Sequence, residues 1–120
     1  MKNFLTFFIT ALSAMMYSNI VFANNQLCIA LTNASKTNVE FVGLIPRTIY
    51  TVQPKQKATL SYNDMADACY YGYNDCAIKV FVLDGSGEGE IISDLPRGTR
   101  IIYYALHQYH VDKNANVPCL

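Results

Sequence analysis

The chain has 120 residues, 52% hydrophobic and 15% charged, with nine basic and nine acidic side chains. A short chain with balanced charge excludes a multidomain protein, a basic nucleic-acid binder and an enzyme built around a large cofactor. Four cysteines and nine tyrosines, with no tryptophan, are the compositional features that remain to be explained.

The first 23 residues have the layout of a secretory signal peptide. Lys2 supplies a positive start, residues 4–14 are mostly apolar, and Val21-Phe22-Ala23 places small or β-branched residues at the cleavage signal. An uncleaved spanning helix needs about 20 mainly apolar residues. Here Thr6, Thr10, Ser13, Tyr17, Ser18 and Asn19 interrupt the run. Cleavage after Ala23 leaves a single domain, 24–120, with no further segment long and apolar enough to span a membrane. Lys2 is the only charged residue removed, so the remaining domain carries a formal charge of −1. The expected compartment is secreted or periplasmic.

All four cysteines fall in the exported part and read as two disulfides with three possible connectivities. The polar run between Cys69 and Cys76 is an evident turn. A local bridge there is favoured, leaving Cys28 to pair with Cys119, while Cys28–Cys76 with Cys69–Cys119 stays open. Zinc is disfavoured because the spacing of Cys69 and Cys76 does not suit a two- or three-residue knuckle and no second knuckle exists.

In chain order, period-two apolar placement bounded by turn residues predicts strands over 26–33, 39–45, 48–53, 58–62, 76–83, 90–94 and 99–108. Polar turns fall at 34–37, 46–47, 54–55 and 95–98, and 84–89 is a glycine-rich hairpin connection. About seven short strands, with little helix signal, predict an all-β, disulfide-stapled antiparallel β-sandwich, with a small β-barrel as the alternative. Residues 63–75 form the longest irregular stretch, in which 65–68 has the makings of one helical turn. His107 and His110 have a spacing that would suit a helix, whereas in extended chain they point to opposite faces.

Tyrosine is the outstanding bias. Tyr62, Tyr70, Tyr71 and Tyr73 cluster around the irregular stretch, and a rigid apolar ring with a polar tip suits recognition. Tyr50 and Tyr103, with apolar strand neighbours, are expected in the core. Arg97 and Arg100 flank a turn and supply charge. Asp84, Glu88 and Glu90 resemble a cation loop, but calcium takes about six to eight oxygen ligands and a solvated hairpin accounts for them better. Asn33-Ala34-Ser35 matches a glycosylation acceptor. No Gly-x-Ser-x-Gly elbow or His-Glu-x-x-His motif is present.

Residues 28–33, the Val52-Gln53-Pro54 turn and the strand from Cys76 look like those of small exported bacterial β-sandwich proteins. The chain is similar to the exported lysozyme inhibitors in size and cysteine count, and departs from them in lacking a Ser-Gly-x-x-Tyr loop. The functional expectation is a non-catalytic binding module, in the class of an exported effector or recognition protein. It contacts a glycan, a lipid headgroup or a protein through Tyr62, Tyr70, Tyr71 and Tyr73, with Arg97 and Arg100 as accessories. An inhibitor of a secreted enzyme and a small histidine-dependent hydrolase are the alternatives. No cofactor, no metal and no nucleic-acid partner are expected, and the domain is expected to act as a monomer.

Overall fold

A computed structural model describes residues 26–45, 49–69 and 72–120. The signal peptide and its cleavage point, the 46–47 turn, and Tyr70 and Tyr71 lie outside the described residues. Eight strands are present: β1 (Ala30–Asn33), β2 (Val39–Gly43), β3 (Ile49–Val52), β4 (Lys57–Thr59), β5 (Cys76–Val82), β6 (Gly89–Leu95), β7 (Arg100–Ala105) and β8 (Gln108–Asp112). They form two four-stranded sheets, ordered β4-β1-β7-β8 and β3-β2-β5-β6. The fold is therefore an all-β sandwich of two separate sheets, and the barrel alternative falls away. Every strand pairing is antiparallel except that of β1 with β7, which is parallel.

The inner faces follow the apolar alternation of the strands. Cys76, Ile78 and Val80 of β5, Val39 and Phe41 of β2, and Ile101 and Tyr103 of β7 are completely buried. Leu31 of β1 and Ile29 just before it join the same core. Each large apolar side chain so buried stabilises the fold by roughly 1.5–3 kcal/mol before conformational entropy is set against it. The two expected core tyrosines behave as their neighbours dictate. Tyr103 is fully buried, and Tyr50 is half-buried against Phe41, with ring centroids 6.0 Å apart.

The long final strand expected over 99–108 is corrected to two strands joined by a tight turn at Leu106 and His107. His107 has φ of +62°, a left-handed conformation uncommon for a residue other than glycine. The reason lies on the other sheet. The Glu90 carboxylate of β6, 7% exposed, accepts the His107 backbone N–H at 2.7 Å and the Tyr103 hydroxyl at 3.0 Å. His107 Nδ1 stands 3.5 Å from the second carboxylate oxygen. A carboxylate far upstream in sequence thus pins the hairpin tip, and no glycine or proline marks the turn. His107 is left exposed on the tip, and His110 lies on β8.

Asn33 closes the opposite corner of the same sheet and is fully buried. Its Nδ2 donates to the carbonyls of Thr37 and Val52, both at 2.8 Å. Its Oδ1 accepts the Ser35 N–H at 2.9 Å and the Ser35 hydroxyl at 2.6 Å. One amide therefore satisfies the 34–37 turn and the end of β3 together. With Nδ2 occupied and buried, the glycosylation match is closed in the folded protein.

The disulfides are Cys28–Cys119, spanning 91 positions, and Cys69–Cys76, spanning seven. The favoured connectivity is the one present. The first is flanked by a backbone ladder, in which Cys28 N–H donates to Val117 O and Cys119 N–H to Gln26 O, each at 2.9 Å. Chain-entropy arguments assign about 4.6 kcal/mol to the long bridge and about 2.5 kcal/mol to the short one. Urea unfolding of the C28A/C119A and C69A/C76A pairs should give losses in that order, the terminal pair losing more. Asn33→Ala leaves the buried Val52 carbonyl and the Ser35 N–H without the side chain that serves them, whereas Thr37 O keeps the Ser35 hydroxyl at 2.9 Å, so it should lower stability by about 1–3 kcal/mol in the same assay.

Candidate functional site

The connection from β4 to β5 builds one end of the sandwich. Leu60 is buried, and the chain then makes a single 3-10 turn, Asp64–Asp67, whose Met65 is buried in the core. The helical turn expected at 65–68 is thus present, one residue earlier. Two contacts seat it. Ile45 N–H donates to Asp67 O at 3.2 Å, and Gly43 approaches so closely that a Cβ would stand 3.0 Å from the Asp67 backbone. Gly43 is needed there for space.

Tyr50 braces the turn from β3. Its hydroxyl donates to Asp64 Oδ2 at 2.6 Å and accepts the Ser61 N–H at 3.3 Å. Asp64 N–H in turn donates to Ser61 Oγ at 3.2 Å. Burial, reinforced by the Asp64 carboxylate that accepts its proton, raises the Tyr50 hydroxyl above the ordinary value of 10.0. Tyr103 is raised further, again by burial first and then by Glu90.

Downstream of the 3-10 turn, Cys69 N–H donates to Met65 O at 2.8 Å and Ala77 N–H to Ala68 O at 2.9 Å. The Cys69–Cys76 bridge therefore closes a loop whose two stems are already hydrogen-bonded. Cys76 stands opposite Leu95 at the end of the β5–β6 pairing. The turn 95–98 is consequently carried up beside the loop. It is firmly held: Thr99, fully buried, donates its hydroxyl to Pro96 O at 2.6 Å, and Gly98 N–H donates to Cys28 O at 3.0 Å.

At this junction the structure brings together three residues singled out from the sequence. The Arg97 guanidinium carbon lies 5.6 Å from the centroid of the Tyr73 ring and 5.9 Å from that of Tyr62. The Arg97 backbone N–H reaches Tyr73 O at 3.4 Å. Both tyrosines are about half exposed, at 53% for Tyr62 and 50% for Tyr73, while Arg97 is half-buried. Arg97 Nη1 is fully buried and has no hydrogen-bond acceptor among the described residues. A cation between ring faces gains roughly 0.5–2 kcal/mol, depending on its desolvation. A sealed donor without an acceptor costs about 1–3 kcal/mol. The arrangement is a charged hydrogen-bonding group held between two rigid apolar plates, with one donor unused.

Arg100 is not part of it. It lies on β7 opposite Ala30 and Asp112, and lines a separate concavity of about 240 Å³ with Lys57, Thr59 and Leu120. The acidic hairpin disperses. Asp84 Oδ1 accepts the Ser86 N–H at 2.9 Å, the hydrogen bonding to Ser86 lowers its carboxyl, and Glu90 turns inward to Tyr103. Among the described residues no three His, Cys, Asp or Glu side chains converge as a metal-holding group. A larger groove, about 470 Å³, runs between the sheets at the far end, lined by Val82, Asp84, Glu88, Tyr104 and Leu106. Sequence reasoning did not identify it, because its walls come from four separate segments.

The raised Tyr50 hydroxyl sets the sign of an alkaline effect. Its folded pKa exceeds its unfolded one, so the contribution is whole below about pH 10 and is lost as pH rises through the folded value. Stability measured by urea unfolding between pH 8 and pH 11 should therefore fall, and Tyr50→Phe should flatten part of that fall, Tyr103 accounting for the remainder. Comparison with family models, curated proteins and solved structures finds no match to this chain, so the functional reading rests on the site's own geometry.

Proposed function

We propose that the protein is an exported, non-catalytic binding module whose contact surface is the Tyr62–Arg97–Tyr73 patch. The observation that carries the reading is Arg97, held between two half-exposed tyrosine rings with Nη1 buried and unused. Rigid amphipathic rings around a fixed cation suit recognition of a glycan, a lipid headgroup or a protein side chain. The two bridges support the reading in a second way, because a loop closed by Cys69–Cys76 loses little further entropy when it meets a ligand.

Compartment enters at the same level. Two disulfides agree with an oxidising environment. Among the described residues no helix is long and apolar enough to cross a membrane. Together with the leader expected over 1–23, they support secretion or residence in a periplasm.

Amide NMR titration of the oxidised protein, recovered after export, tests the reading with glycan pools and anionic headgroups. Saturable shifts should centre on Tyr62, Tyr73 and Arg97. Tyr73→Ala should weaken the interaction about tenfold, or ~1.4 kcal/mol, whereas Tyr104→Ala on the outer face of β7 should leave it unchanged. Shifts confined to the groove at the far end would move the recognition surface there and reject this assignment.

A further inference from the structure

Resting on that reading, we infer that the ligand is an acidic sugar, whose ring carboxylate is taken by the Arg97 guanidinium while the tyrosines flank the pyranose. Three observations lead to this class. The first is the unused donor. Arg97 Nη1 is sealed and lacks an acceptor among the described residues, so a ligand that brings an oxyanion relieves a cost the free protein carries. A guanidinium presents its N–H groups as a planar fork, and a carboxylate accepts two of them in the same plane.

The second observation is charge. Among the described residues the patch offers one cation, and Asp75 and Asp94 stand exposed on the neighbouring loop and strand. A sugar-ring carboxylate pairs with that cation and meets less repulsion from the two flanking carboxylates than a phosphate dianion does. The third is size. Two rings and one guanidinium cover one or two sugar units, far below the ~800 Å² that a stable protein partner covers on each side. Among the described residues, the exposed apolar side chains of Ile49, Leu83, Ile91 and Tyr104 belong to different strands and edges.

Because Nη1 is shut from solvent by its surroundings, the carboxylate reaches it as one of the half-exposed rings moves aside. Tyr62 and Tyr73 are thus both walls and covers of the site, while the arginine they enclose stays on the turn pinned by Thr99 and Cys28.

The test titrates the full oxidised protein with trigalacturonate, with the neutral galactose trimer, with inorganic phosphate and with a tri-glutamate peptide, following backbone amides and the Arg97 side-chain Nε–H. Trigalacturonate should bind saturably at Tyr62, Tyr73 and Arg97, at least about tenfold more tightly than each of the other three. Arg97→Gln should erase that preference and Arg97→Lys should restore only part of it. Arg100→Gln, a cation outside the patch, should change nothing. The amide spectrum of each variant reports whether it is folded, and Tyr73→Phe, which keeps the ring, provides a second variant that should retain the preference.

Equal binding of the acidic and neutral trimers overturns the carboxylate and leaves the recognition surface standing. Equal competition by phosphate or by the peptide overturns the sugar acid, and equal loss in Arg97→Gln and Arg100→Gln reduces the effect to general electrostatics and overturns it also. Full affinity in Arg97→Lys overturns the planar fork. If trigalacturonate leaves the patch silent while another glycan or headgroup shifts it, the inference fails alone. If every pool leaves it silent, the binding reading fails with it.

Discussion

Ala30–Asn33 lies parallel to Arg100–Tyr103, and this pairing of the two ends of the folded chain sets the position of nearly everything else. A parallel pair cannot be closed by a hairpin, and here the whole of the intervening chain is the crossover. The entropy of closing so long a loop is offset by the Cys28–Cys119 bridge, which constrains the unfolded chain, and by the ladder around it. Once β1 lies between β4 and β7, its Leu31 and the preceding Ile29 are buried in the core and the sandwich closes.

The same pairing determines where Arg97 sits. The turn 95–98 leads directly into β7, and its Gly98 N–H is held by the carbonyl of Cys28. Tyr73 belongs to the loop closed by the other bridge, and Tyr62 to the segment that enters it. The patch therefore forms where a disulfide-closed loop meets a turn hydrogen-bonded to the other disulfide. Constraint on both sides holds the cation and one ring in place without a ligand, and such preorganisation favours affinity.

Two buried polar groups perform the joining that apolar packing leaves undone. Asn33 links a turn to the end of β3, and Glu90 links β6 to Tyr103 and to the β7–β8 tip. Each is fully or nearly out of solvent, and each has several partners. In a low-dielectric interior, satisfied networks of this kind select one register, and removal of one partner leaves the rest uncompensated. They tie the two sheets together at the end of the sandwich away from the patch.

Strand content, the core faces and the local cysteine loop were legible in the sequence, because alternation of apolar residues and the chemistry of turns act over a few neighbouring positions. Cys76, Ile78 and Val80 declare their face by spacing alone, and the polar run before Cys76 declares its turn. The β7–β8 turn was not legible. His107 carries none of the usual turn signals, and the carboxylate that holds it comes from Glu90 on another sheet. The burial of Asn33 was not legible either, since its partners Thr37 and Val52 converge only after the sheets pack. At the site, the sequence by itself determined which residue types were on offer: tyrosines in a braced loop and two arginines about a turn. Only the tertiary structure separated Arg97 from Arg100, placing one between Tyr62 and Tyr73 and the other on an outer face. The physical reason is that a side chain's direction in a strand or turn is local, whereas its neighbours across the fold depend on the register of strands far away in sequence.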